Sequence, residues 1–195
     1  MATNLGKVKR YTKDLHKNYP RSPHEKLGGY VIAARCVDKC RAFLPGVNDE
    51  YNYWPCSLAS QWFVFTGITL DQFKEVVATG ATDVESGEWI VGRSQVKNAD
   101  DVLKWNNKLG DMRLSEMSVQ AQQYLEEYIP KVVPKDRPVY VWFDVYDLEE
   151  SDCKQSGRDI DLQRKETNDE SACNERRRDQ GTRRSLSGRV PPYGR

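Results

Sequence analysis

Ser22-Pro23-His24-Glu25-Lys26-Leu27-Gly28-Gly29-Tyr30-Val31-Ile32-Ala33-Ala34-Arg35-Cys36-Val37-Asp38-Lys39-Cys40-Arg41-Ala42-Phe43 is the stretch on which the fold turns. Ser22 can cap a helix, Pro23 suits its first position, and Glu25, three residues after Ser22, completes a capping box. A helix is therefore expected from Ser22 to about Phe43, ended by Pro45-Gly46. Wound as a helix, the stretch gathers Leu27, Tyr30, Val31, Ala34 and Val37 on one face, the side that should meet a core. Asp38 and Arg41 fall on that same face, with Arg35 at its edge.

A carboxylate on an apolar face must be paired or neutralised, and Arg41, one turn on, is the expected partner of Asp38. Two readings follow. In one, a buried Asp38–Arg41 ion pair ties the helix to a loop through a phenol of Tyr51 or Tyr53. In the other, the charges floor a polar pocket that takes a small anion or polar ligand through Arg35 and Arg41. Gly28-Gly29 costs this helix about 1 kcal/mol per glycine relative to alanine, so something should approach the backbone closely there, a neighbouring helix before a ligand.

Outward from this helix the chain reads as a series of short helices. Asn48–Pro55 is an aromatic-rich loop holding Tyr51, Tyr53 and Trp54. A helix over about Leu58–Thr66 ends at Gly67, and Thr69 to Gln72 opens another with Phe73, Val76 and Val77, stopping at Gly80. Thr82 to Glu85 is a further capping box leading to Trp89 and Ile90, and Asn98 can cap a helix bearing Val102, Leu103 and Trp105. Ser118 opens a helix with Tyr124, Leu125, Tyr128 and Ile129 on one side, closed by Pro130. Val139–Phe143 has strand propensity but no second run to pair with, so Val139–Asp147 is expected as an extended strap on the helices. The predicted fold is mostly α: a compact orthogonal domain of about five to six helices over residues 14–150, closed by the C-terminal strap.

Residues 151–195 differ in composition: one aromatic, few aliphatics, and 11 basic against 8 acidic residues, where residues 1–150 carry 19 against 21. A disordered, charged tail is expected, because it lacks the apolar surface to offset the entropy of ordering. Arg176-Arg177-Arg178 and Arg183-Arg184 make this tail the one place suited to nucleic acid. No apolar run approaches the eighteen or so residues a membrane span needs, and Met1–Arg10 does not resemble a signal peptide, so a cytoplasmic protein without a membrane partner is expected. Five cysteines, an odd number without CxxC spacing, argue against a disulfide scaffold.

No motif carries catalytic chemistry. The chain lacks a GxSxG elbow, a GxGxxG fingerprint and a GxxxxGK[ST] loop. Cys36 and Cys40 share a helical face, and Cys56, His16 or His24 could complete a tetrahedral set, yet cysteines beside Ala33 and Phe43 read as small buried hydrophobes. No metal and no cofactor is expected. Asp144, Asp147, Glu149 and Glu150 read as a solvated acidic end before a Mg²⁺ or Ca²⁺ site, and the tryptophans as core anchors, with Trp54 or Tyr53 able to line a groove.

Asp14-Leu15, Tyr19-Pro20-Arg21-Ser22-Pro23, Leu27-Gly28-Gly29-Tyr30, Ala34-Arg35 and Asp38-Lys39-Cys40-Arg41-Ala42 together resemble an uncharacterised, largely bacterial family, domain of unknown function 5069. Cys56–Gly67, and Trp105-Asn106 through Ser115-Glu116-Met117 to Phe143-Asp144 and Asp147, are similar to it as well. The resemblance covers about residues 14–150. It implies a small helical intracellular domain, supplies no activity, cofactor or partner, and directs attention to Arg21, Gly28, Gly29, Arg35, Asp38, Arg41 and Cys56. The chain departs from the family pattern in having Pro55 before Cys56 and Ser57-Leu58-Ala59 after it, where relatives have Asn and Pro-Leu-Asp.

The function expected from these observations is the non-catalytic binding of a small polar or anionic ligand, or of a protein partner, through Arg21, Arg35, Asp38, Arg41, Tyr53 and Cys56. Two alternatives stand beside it. One is a small enzyme with Asp38 as general base or Cys56 as nucleophile; the other is tethering to nucleic acid through the arginine-rich tail.

Overall fold

A computed structural model describes residues 3–151 of the chain. Its elements are α1 (Leu5–Tyr11), α2 (Ala33–Phe43), α3 (Ser57–Thr66), α4 (Leu70–Ala78), α5 (Asp83–Arg93), α6 (Ala99–Gly110), a 3₁₀ turn (Leu114–Glu116), α7 (Val119–Val132) and α8 (142–151). The domain is helical as expected; two isolated antiparallel bridges, Leu27 with Tyr30 and Arg113 with Val141, are the extended pairings among the described residues. The disorder and nucleic-acid expectations for the tail concern residues 152–195, outside the described ones.

α2 is the axis of the core. Nine of its eleven residues are buried, Ala33 through Asp38 and Cys40 through Ala42, and Trp62 of α3, Phe73 and Val77 of α4 and Ile90 of α5 join the same cluster. Local signals set most of the other ends. Thr69 and Thr82 close full capping boxes with Gln72 and Glu85, Asn98 and Ser118 cap α6 and α7, and Gly67 ends α3 in the left-handed conformation at φ 68°.

Three expectations are corrected. The helix foreseen from Ser22 starts eleven residues later, at Ala33, because Gly28, Gly29 and Ile32 take φ of 59°, 82° and 69°, values a right-handed helix excludes. Ser22 caps no helix; its hydroxyl accepts from the His24 N–H and donates to Asp147. Gly28 does meet a close neighbour: a Cβ there would stand 2.8 Å from the Gly87 carbonyl oxygen of α5. The strap foreseen over Val139–Asp147 is extended only to Val141, then becomes α8, because Trp142, Phe143 and Val145 bury a helical face, and that tertiary gain overrides local strand propensity. Pro130 does not close α7, which runs on to Val132. α1, capped by Asn4, was not foreseen.

Candidate functional site

The charges on α2 are built into the fold, each meeting a partner from another segment. Asp38 is 3% exposed. Its Oδ2 accepts from Lys13 Nζ at 3.3 Å, from the Arg21 backbone N–H at 3.0 Å and from Arg21 Nε at 3.0 Å, and its Oδ1 accepts from Arg21 Nη2 at 2.7 Å. Arg41 turns elsewhere: Nη1 donates to Asp83 Oδ1 and Nη2 to the Ala81 carbonyl, each at 2.7 Å, with its guanidinium 5.6 Å from the Tyr11 ring centre. The expected Asp38–Arg41 pair is therefore replaced by two pairs, Asp38 with Arg21 and Arg41 with Asp83. Arg21 joins them, since its Nη1 also donates to Asp83 Oδ2 at 2.7 Å.

Asp83 is the first residue of α5, where the partial positive charge of a helix N-terminus also favours a carboxylate. Burial works against its ionisation, but Arg21 and then Arg41 outweigh that and hold its carboxyl below the ordinary value. Arg35 lies on the other flank of α2. Its Nη2 donates to Glu150 Oε1 at 2.6 Å, and its Nη1 to Glu150 Oε2 at 3.3 Å and to the Arg21 carbonyl at 3.0 Å. The Tyr51 and Tyr146 rings flank it at 5.8 and 5.2 Å. Burial pushes the Glu150 carboxyl above its usual range against the pull of Arg35.

Of the residues proposed from sequence, the fold thus joins Arg21, Asp38 and Arg41 in one network and links Arg35 to it through a backbone carbonyl. Tyr53 stands apart, buried against Phe73 and Phe43, its hydroxyl donating to the Leu70 carbonyl. Cys56 is half-buried, and Lys39 Nζ donates to its Sγ at 3.5 Å. Burial pushes the Cys36 and Cys40 thiols up to about 12, so both stay protonated and unreactive at neutral pH. Among the described residues no group of three histidine, cysteine or carboxylate side chains is placed to hold a metal ion, and no helix is long and apolar enough to cross a membrane.

An opening suited to a ligand lies beside this network. A groove of about 730 Å³ runs between the start of α3, the 112–118 segment, α7 and α8. Tyr124, Leu125 and Tyr128 of α7 face Trp142, Val145 and Tyr146 of α8 across it, with Ser57 and Gln61 of α3 at its edge. The Tyr124 and Tyr128 rings stack at 5.3 Å and 18°, and the Tyr128 hydroxyl donates to Glu149 Oε1 at 2.8 Å. Half-buried Glu149 has its carboxyl pushed up by desolvation, and Tyr128 and Arg35 pull it back only in part. In the sequence Trp142 reads as a core anchor, and Tyr124 and Tyr128 fall on one side of a helix with no site assigned to them. The available signal was their spacing: Tyr124 with Tyr128 and Trp142 with Tyr146 are both i, i+4 pairs, which line one helix face each.

A comparison with curated proteins found no match. The family model described as "Domain of unknown function (DUF5069)" matches residues 17–152, a span that contains α2, its partners Arg21, Asp83 and Glu150, and every wall of the groove. The chain belongs to the DUF5069 family.

Proposed function

We propose that this domain is a non-catalytic ligand-binding module whose seat is the aromatic groove between α3, α7 and α8, with the charged residues of α2 serving as its scaffold. The observation that carries this reading is the contrast in hydrogen bonding. The guanidiniums of Arg21, Arg35 and Arg41 are each paired with a carboxylate, so an anion would have to displace a buried partner. The groove encloses about 730 Å³ with four aromatic side chains among its walls, within the size range of small-molecule sites. Asp38, buried and with four donors on its two oxygens, is committed to the network and poorly placed for general-base work.

The test is native mass spectrometry and NMR on the full-length protein beside Ala121→Trp, which fills the groove from its α7 wall. Bound mass, or amide shifts on added ligand, should localise to the groove and vanish in the variant. Shifts centred on Arg41 and Asp83 instead would overturn the reading in favour of the α2 face. A second reading, Cys56 as a nucleophile, is favoured by the Lys39 contact alone; alkylation of Cys56 at the rate of free cysteine, or none, removes it.

A further inference from the structure

The charge around the groove specifies what it would hold. Helices α7 and α8 carry six carboxylates, Glu126, Glu127, Asp144, Asp147, Glu149 and Glu150, against the single base Lys131. Three of those on α8 are answered by cationic or titratable groups: Glu150 by Arg35, and Asp144 and Asp147 by His24 at 3.8 and 3.9 Å. Glu149 is not. It follows Trp142, Val145 and Tyr146 on one helical face, and its hydrogen-bond partner is the neutral phenol of Tyr128, itself a groove wall.

Glu116 lines the groove as well, and no basic side chain does so among the described residues. Neither Glu116 nor Glu149 makes an ion pair among the described residues. The charge on the cavity wall itself is therefore that of Glu116, with Glu149 standing behind the Tyr128 wall. Four aromatic rings line the same cavity, Tyr124, Tyr128, Trp142 and Tyr146. Ring faces carry negative quadrupole density that attracts a cation, and the attraction grows as water is excluded.

We propose that the groove binds a small organic cation, an ammonium group carried on an apolar body. The cationic head sits over the aromatic faces within reach of Glu149, and the body lies against Leu125, Val145 and the Met117 side of the cavity. An anion meets the Glu116 carboxylate and no base on the cavity wall. A neutral apolar ligand fits the walls but gains nothing from Glu116 or Glu149. This assignment rests on the groove being the binding seat, and it adds the chemical class of the ligand.

The experiment separates the two. The full-length protein is titrated, with NMR detection, against choline, against its uncharged isostere 3,3-dimethylbutan-1-ol, and against sodium sulfate. Choline should shift groove amides and bind at least tenfold tighter than the isostere, and sulfate should leave them unmoved. Glu149→Gln, which retains an acceptor for Tyr128, should weaken choline at least threefold while leaving the isostere unchanged. Equal affinity for choline and the isostere at the groove overturns the cation assignment and leaves the groove reading standing. Absence of groove shifts with all three probes, in a protein whose spectrum shows it folded, overturns both.

Discussion

The charged face of α2 and the aromatic groove beside α8 are opposite solutions to placing polar groups near a core. On α2 the charges are deepest, with Arg35, Asp38 and Arg41 no more than 4% exposed, and each is met by partners at 2.6–3.3 Å. At the groove Glu116 is exposed and Glu149 half-buried, and the hydrogen-bond partner of Glu149 is the neutral phenol of Tyr128 in place of a cation. A buried charge that is fully paired is structural, because unpairing it in low dielectric is costly. A charge left half-answered beside an open cavity has interaction free energy still to gain from a ligand. The unusual residues of the sequence and the unusual site of the structure are therefore different places.

The comparison breaks most visibly at Asp38. Asp38→Ala removes four accepted hydrogen bonds at once and leaves Arg21 with half its partners. It should cost about 3–5 kcal/mol in urea denaturation, whereas Ala121→Trp at the groove should stay within about 1 kcal/mol of wild type. A loss below about 1 kcal/mol for Asp38→Ala would show the network to be incidental.

Gly28 comes next. Alanine there must hold φ near 59° and place its Cβ 2.8 Å from a backbone oxygen of α5, for an expected loss of about 2 kcal/mol. Gly29→Ala is the control: its φ of 82° is also left-handed but nothing stands within 4 Å of the added carbon, so about 1 kcal/mol is expected. Equal losses at the two positions would mean that the α5 contact contributes nothing.

The smallest effect distinguishes the two regions by sign. Asp83 has its carboxyl held below the ordinary value of 3.8, so its stabilisation is present above that pH and is lost as the pH falls through the lowered folded value. Glu149 and Glu150 are pushed above their ordinary value of 4.5. The folded state then binds more protons than the unfolded one, so stability declines as the pH rises from 4.5 through the raised values. Urea midpoints measured across this range should fall on both sides. Asp83→Asn should flatten the acid limb and Glu149→Gln part of the limb above pH 4.5; a limb unchanged by its own variant removes the corresponding attribution.

Legibility in the sequence followed the range of the interaction. Caps at Thr69, Thr82, Asn98 and Ser118 were readable because donor and acceptor lie within three residues, and so was Gly67, whose need for a left-handed φ is a property of one residue. The anomaly of Asp38 and Arg41 was readable too, since helical periodicity alone puts them on the buried face. Their partners were not. Arg21 lies 17 positions from Asp38 and Asp83 lies 42 from Arg41, and the opposite charge one turn away on the same face was the wrong choice for both.

What the sequence by itself determined is a helical domain, most of its helix ends, its family and the burial of charge on α2, all of which depend on composition, local hydrogen bonding and period. Only the tertiary structure decided that Gly28, Gly29 and Ile32 break the first helix, that 142–151 is helix in place of strap, and that an acidic, aromatic groove opens beside it. The physical reason is common to all three. Each rests on contacts between segments far apart in the chain, Gly28 on Gly87 of α5 and Tyr128 on Glu149 of α8, and such contacts outweigh local preferences of about 1 kcal/mol per residue only once the chain is folded.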